Sequence, residues 1–170
     1  MITLYLDMDG VLCNFEKAYR SLRTHAEDGK RFQAAVMQFR IFETLEPMPD
    51  VQQLLDYVKT LNVNVEILTS LGTFDEEQGE STKLQKQKWL DDHGISYKVN
   101  FSRSKEEKSM YAHSRAILVD DSVGCIEPFN GKSGHGILHT SVEESIKRIG
   151  TIVYDLTTLR FEYDSMGSYI

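Results

Sequence analysis

The chain has 170 residues, 41% hydrophobic and 26% charged, enough for one well-buried core and short for two. A formal net charge of −7 argues against a long polyphosphate partner, which demands a basic face, yet leaves room for a small anionic ligand in a locally positive pocket. No apolar run approaches the roughly 20 residues of a spanning helix, and Cys13 and Cys125 fit neither a disulfide framework nor a zinc spacing. A single soluble, unprocessed domain in a reducing cytoplasm, with no membrane partner, is expected.

Ile2 to Leu6 is a β-rich apolar run, and Gly10 is the first residue after it that permits a sharp turn. From Asn14 to about Leu45 the pattern is helical. Phe15, Tyr19 and Leu22, then Phe32, Val36 and Phe39 fall at helical spacing on either side of a polar break at Glu27 to Lys30, so two helices are expected. Pro47 and Pro49 flank a turn, after which Val51, Leu54, Leu55 and Val58 make an amphipathic helix leading into an alternating strand, Val63 to Leu68. Leu71 to Ser81 reads as a loop, and Leu84 to His93 as a helix with Trp89 inward and Gly94 as its stop. Tyr97 to Phe101 and Ala116 to Val119 are short strands, with Lys105 to His113 helical between them. Strands alternating with helices predict an α/β fold, a doubly wound parallel sheet with helices on both faces. The tail from about Val153 has strand-like aromatic and β-branched residues but no motif that places it.

In an open parallel sheet, ligands bind beyond the carboxyl ends of the strands, so the polar residues just after each apolar run are the candidates. Asp7 and Asp9 follow the first strand, Thr69 and Ser70 the second, and Asp120, Asp121 and Ser122 a later one; Lys108 lies on the helix feeding that later strand. Concentrated carboxylates at a strand end are costly unless a cation or a reaction needs them. The set supplies a nucleophilic carboxylate, a second carboxylate for proton transfer, hydroxyl and ammonium groups for phosphate oxygens, and acidic ligands for Mg²⁺. Each residue also has a plain structural role open to it. Asp-Gly makes turns, Asp120 and its neighbours could cap the next segment, and Thr69-Ser70 could be an ordinary strand exit. Lys105 competes with Lys108, and Arg103 could meet a substrate or simply be exposed.

In order, Asp7-Met-Asp9-Gly-Val11, Ile67-Leu-Thr69-Ser70, Lys108 and Ile117-Leu-Val-Asp120-Asp121 resemble the motifs of the haloacid dehalogenase-like hydrolase superfamily. Asp7 to Glu16 and Phe42 to Pro49 resemble its 5'(3')-deoxyribonucleotidase branch. The resemblance covers residues 2 to about 140. It implies a Mg²⁺-dependent phosphomonoesterase in which Asp7 becomes an aspartyl-phosphate and Asp9 moves the leaving-group proton. Thr69, Ser70 and Lys108 would hold the phosphoryl group. Asp7, the Asp9 carbonyl and an acid of the Asp120–Asp121 pair would hold the metal. It also implies a small helical cap at about 14–45 within a single domain, with Phe15 in the pocket for a nucleobase; Phe39 and Phe42 could add to it. His135 and His139 are four apart, but flanking glycines disfavour the helix that would align them for zinc, so they read as loop and strand residues, and Gly131 to Gly136 could instead be a flexible loop near the site.

Three readings follow. The first is a nucleotidase acting on (deoxy)nucleoside monophosphates. The second keeps the chemistry on sugar phosphates or nucleic-acid 3'-phosphate ends, the latter disfavoured by the acidic charge. The third is a phospho-accepting signalling module, which combines similar residues but places its acid pair early and its acceptor on a middle strand.

Overall fold

The computed structural model describes residues 1–23 and 28–166. Strands β1 (Thr3–Leu6), β2 (Asn64–Ser70), β3 (Lys98–Ser102), β4 (Ala116–Asp120) and β5 (His135–Leu138) form one sheet in the order β3-β2-β1-β4-β5. Every pairing is parallel. β1 is central, so both its faces are covered, which is why Leu4, Tyr5 and Leu6 read as a continuous apolar run rather than an alternation.

The two faces carry different cores. Leu4, Leu6, Ile67, Ile117 and Val119 point to the larger one, joined by Leu54, Trp89, Ile149 and Leu156. These come from helices α3 (Val51–Lys59), α4 (Glu76–Asp92) and α6 (Val142–Met166). Tyr5, Leu68 and Leu118 face the smaller core, closed by Cys125, Ile126 and Phe129 of α5 (Val123–Gly131). A 3₁₀ turn at Glu106–Tyr111 stands where a longer helix over Lys105 to His113 is expected from the sequence. Among the described residues, no helix is long and apolar enough to cross a membrane.

The expected loop at Leu71 to Ser81 is corrected, and the unplaced tail is placed. α4 starts at Glu76, with Asp75 capping it by accepting from the Gln78 N–H, so only Leu71 to Asp75 is loop. The tail is helical through Met166: Val142, Ile149 and Leu156 recur every seven residues on one buried side, and that period outweighs β-branched composition. Residues 167–170 of the tail, and Glu27 of the polar break, lie outside the described residues. α5 has no counterpart in the sequence reading, and β5 begins at His135, where loop and strand residues are expected. Gly131 ends α5 and Gly136 lies within β5, where an added Cβ would meet Ile126 Cγ2 at 2.8 Å, so this stretch is a helix-to-strand connection rather than a free loop.

Helices α1 (Phe15–Ser21) and α2 (Asp28–Met37) and a 3₁₀ turn at Ile41–Thr44 leave the sheet and return at one point. Asn14 N–H donates to the Glu46 carbonyl and Met48 N–H to the Leu12 carbonyl, pinning the exit of this segment against its entry. α4 fastens its far end. Buried Gln85 accepts from the Phe42 N–H and donates to the Val36 carbonyl, and Trp89 Nε1 donates to the Leu45 carbonyl at 2.8 Å. Gln85→Ala strands two buried backbone groups, and stability to urea should fall by about 2–4 kcal/mol; an unchanged unfolding midpoint would show that the segment is held elsewhere.

Candidate active site

The first site residues are set by a tight turn. The Met8 carbonyl accepts from the N–H groups of Val11, Leu12 and Cys13, folding the chain back immediately after β1. Gly10 makes this possible with φ of +79°, and a Cβ there would lie 2.0 Å from Asp121 Oδ2, so glycine is required both by conformation and by the closeness of the acid. Asp7 is thereby held at the sheet edge, its N–H donating to the Val119 carbonyl.

Around Asp7 the strand ends converge. Lys108, 1% exposed, donates to Asp120 Oδ2 at 2.6 Å and sits 2.9 Å from Asp7 Oδ1. The latter contact is an ion pair off the hydrogen-bonding direction, so Asp7 Oδ1 is buried without a hydrogen-bond partner. Burial would lower the pKa of Lys108, but the charges of Asp7 and Asp120 outweigh it and hold the group above the usual lysine range. Lys105 points to the rim instead and donates to Ser122 Oγ.

The acids are crowded. Asp7, Asp120 and Asp121 can each bring an oxygen within 4.8 Å of the others. Burial, then the charges of Asp7 and Asp120, pushes Asp121 up to about 6. Asp120 is raised as well, by burial and then by Asp7. Asp120 is already engaged on both oxygens, by Lys108 and by the Ser122 N–H.

Asp9 is the partly exposed member, its side chain 30% accessible. Cys13 Sγ lies 3.6 Å from its Oδ1, and Lys86 donates to its Oδ2 at 2.7 Å. Lys86 has no counterpart in the sequence reading. It is fully buried, and it also donates to Thr69 Oγ1 at 2.7 Å and to the Ser70 carbonyl at 2.9 Å. Thr69 is therefore buried beside Asp9. Ser70 is at the cavity surface, with its hydroxyl donating to the Arg103 carbonyl and accepting from the Gly72 N–H.

These groups open into a cavity of about 500 Å³ reached by Asp7, Asp9, Lys108 and Asp121. Its opposite wall is aromatic. Phe15 stacks on Phe42 with centroids 5.3 Å apart, Phe32 meets both edge-on, and Phe74 stands at the mouth, 66% exposed. Phe15, Phe32 and Phe42 serve two roles at once, packing on the larger core and lining the cavity. Phe39, by contrast, is 46% exposed and does not line it. Arg103 reaches the rim. His139 lies outside the cavity, bonded to Ser145 Oγ, and His135 faces the Ser114 carbonyl.

Four carboxylates, Asp7, Asp9, Asp120 and Asp121, thus face two buried ammonium groups, Lys86 and Lys108. A buried carboxylate oxygen with no hydrogen bond, an all-oxygen donor set and a local charge excess fit a hard divalent cation such as Mg²⁺.

Fold and site together define a doubly wound α/β protein with an acidic centre, balanced by lysines, at the carboxyl edge of its sheet. A hydrolase from Streptococcus pneumoniae TIGR4 shares this fold, with a TM-score of 0.51 and 14% identity over 87% of this chain and 97% of that one. A haloacid dehalogenase-like family hydrolase from Streptococcus pneumoniae matches with a TM-score of 0.48 and 11% identity, over 80% of this chain and 83% of that one. A D,D-heptose 1,7-bisphosphate phosphatase from Burkholderia thailandensis matches with a TM-score of 0.47 and 11% identity, over 79% and 75%. At these identities the likeness is one of fold. No protein-family model and no curated protein matches the chain.

Proposed function

We propose that this protein is a Mg²⁺-dependent phosphomonoesterase of the haloacid dehalogenase-like type that acts on (deoxy)nucleoside monophosphates. The observation that carries the chemistry is Asp7, buried with one oxygen free of hydrogen bonds and held between Lys108 and the Asp120–Asp121 pair in the cavity. Asp7 attacks phosphorus in line. As the ester P–O bond breaks, Asp9 gives its proton to the leaving oxygen. Asp9 then takes a proton from water as that water attacks the aspartyl-phosphate, and the P–O bond to Asp7 breaks to release inorganic phosphate. Lys108, with donor capacity left over from Asp120, offsets charge on the phosphoryl oxygens. Thr69 and Ser70 are the hydroxyl donors of this reading: Ser70 lines the cavity and acts after release from the Arg103 carbonyl, whereas Thr69 is buried beside Asp9 and does not line the cavity.

Asp7, the Asp9 carbonyl and Asp121 would hold the cation directly, because both Asp120 oxygens are taken. When bound, Mg²⁺ neutralises the acids and lets an anionic phosphate approach. Segment 14–45 acts as the cap over the site, and Phe15, Phe32 and Phe42 give the cavity an apolar aromatic wall that suits a planar base better than a sugar phosphate, although the faces of Phe15 and Phe42 are already taken by Tyr19, by one another and by Lys86. The net charge of −7 disfavours a polynucleotide end.

Hydrolysis of p-nitrophenyl phosphate tests the chemistry. EDTA should lower turnover by about 100-fold or more, and Mg²⁺ should restore it. Metal-independent turnover, or self-phosphorylation with no turnover, overturns the reading. Equal rates across a panel of nucleoside and sugar monophosphates would overturn the base preference alone.

A further inference from the structure

Among the described residues, Lys86 is the one fully buried charge in the site that touches no part of the cavity. An ammonium group has three N–H donors, and all three are used here, on Asp9 Oδ2, Thr69 Oγ1 and the Ser70 carbonyl. The Phe42 ring covers the remaining side, 4.6 Å from Nζ to centroid, and closes it from water. With no donor left over, Lys86 cannot bind substrate. Burying a charge at 0% exposure is nonetheless costly, and a methionine or leucine would fill the same volume without that cost.

We propose that Lys86 is a positioning residue that fixes the Asp9 carboxylate and the Thr69 hydroxyl as one unit. This rests on the reading of Asp9 as the proton carrier. Lys86 can only donate, so Thr69 must accept from it, and the threonine proton is left to donate elsewhere. The same ammonium fixes the rotamer of Asp9, whose side chain would otherwise be free to swing in a part-exposed position. Phe42 shields that ammonium on one side and stacks on Phe15 of the cavity wall on the other, so the aromatic wall and the proton carrier share one support.

The test is Lys86→Met, which keeps the buried stem and removes all three donors, measured with phenyl phosphate and p-nitrophenyl phosphate. The two esters have nearly the same shape, but phenolate needs a proton to leave and nitrophenolate scarcely does. Turnover of phenyl phosphate should fall about 10²–10³-fold and that of p-nitrophenyl phosphate by no more than about tenfold. Placed on Asp9→Asn, the substitution should change the ratio of the two esters no further. A crystal structure of the variant should show Asp9 and Thr69 in new rotamers. Equal losses on both esters, or unchanged rotamers, overturn the proposal, as does a further change of the ratio in the double variant. If Lys86→Met does not fold, Lys86→Gln, which retains an amide donor, is read by the same ratio. A wild-type protein that turns over neither ester with Mg²⁺ overturns the phosphatase reading itself, whereas the rotamer result bears on Lys86 alone.

Discussion

Asp7→Asn should lower turnover at least about 10⁴-fold and leave the protein as stable as its parent, or more so. The loss follows from the role: with the attacking carboxylate gone, no aspartyl-phosphate forms, and the remaining groups have no bond to make to phosphorus. Stability moves differently because Asp7 is poorly accommodated. One oxygen is buried with no hydrogen bond, and its charge raises both Asp120 and Asp121. Removing that charge relieves the acids, and Lys108 keeps Asp120 as its partner. A residue kept at some cost to the fold is characteristic of a functional site. Protein quenched in acid during turnover should carry a phosphoryl group that hydroxylamine removes, and Asp7→Asn should carry none. Turnover within tenfold of the parent, or a label that persists in the variant, would place the nucleophile elsewhere.

How far the site was legible depends on which element supplies each residue. The strand ends announced themselves, because the apolar runs of β1, β2 and β4 stop at Asp7, Thr69 and Asp120, and parallel topology brings those stops to one edge. Lys108 was the preferred of two candidates in sequence, because it leads towards the acidic strand, with Lys105 as its rival. Geometry separates them, putting Lys108 between Asp7 and Asp120 and Lys105 on Ser122. Lys86 was not legible, since α4 between Glu76 and Lys88 looks like a solvated helix. Its buried stripe is polar: Gln78, Thr82, Gln85 and Lys86 precede Trp89 at helical spacing, because this face meets the active site and the backbone of the 36–45 segment rather than an apolar core. Hydrophobic periodicity cannot find such a face. The four-residue β5, with a glycine at its second position, was too short to give more than a loop-and-strand reading around His135 and His139. The helical phase of α6 was masked by its β-branched content, and that of α5 by an internal Pro128.

Lys108→Met should be the most damaging single change to stability in the site, costing about 3–5 kcal/mol at neutral pH and lowering turnover about 10²–10³-fold. The ammonium is 1% exposed between two buried carboxylates, and its removal leaves both without their cation. The pH dependence identifies the cause. In the parent, the raised pKa of Lys108 means that its contribution is complete below the usual lysine range and is lost only as the pH climbs through the folded value, so it is constant across neutral pH. In the variant the balance shifts to the acids. Burial and Asp7 already raise Asp120 against the pull of Lys108, and without that pull it rises further. An acid with a raised folded pKa favours the fold below its unfolded value, and that contribution is lost as pH rises through the folded value. The deficit of Lys108→Met, followed by denaturant unfolding, should therefore shrink as pH falls from about 8 to about 5, and Mg²⁺ should recover part of it at the upper end. Lys105→Met, at the exposed rim, should change stability by less than about 0.5 kcal/mol. A pH-independent deficit in Lys108→Met, or a larger effect from Lys105→Met, would mean that the acids are balanced by something other than the lysine between them.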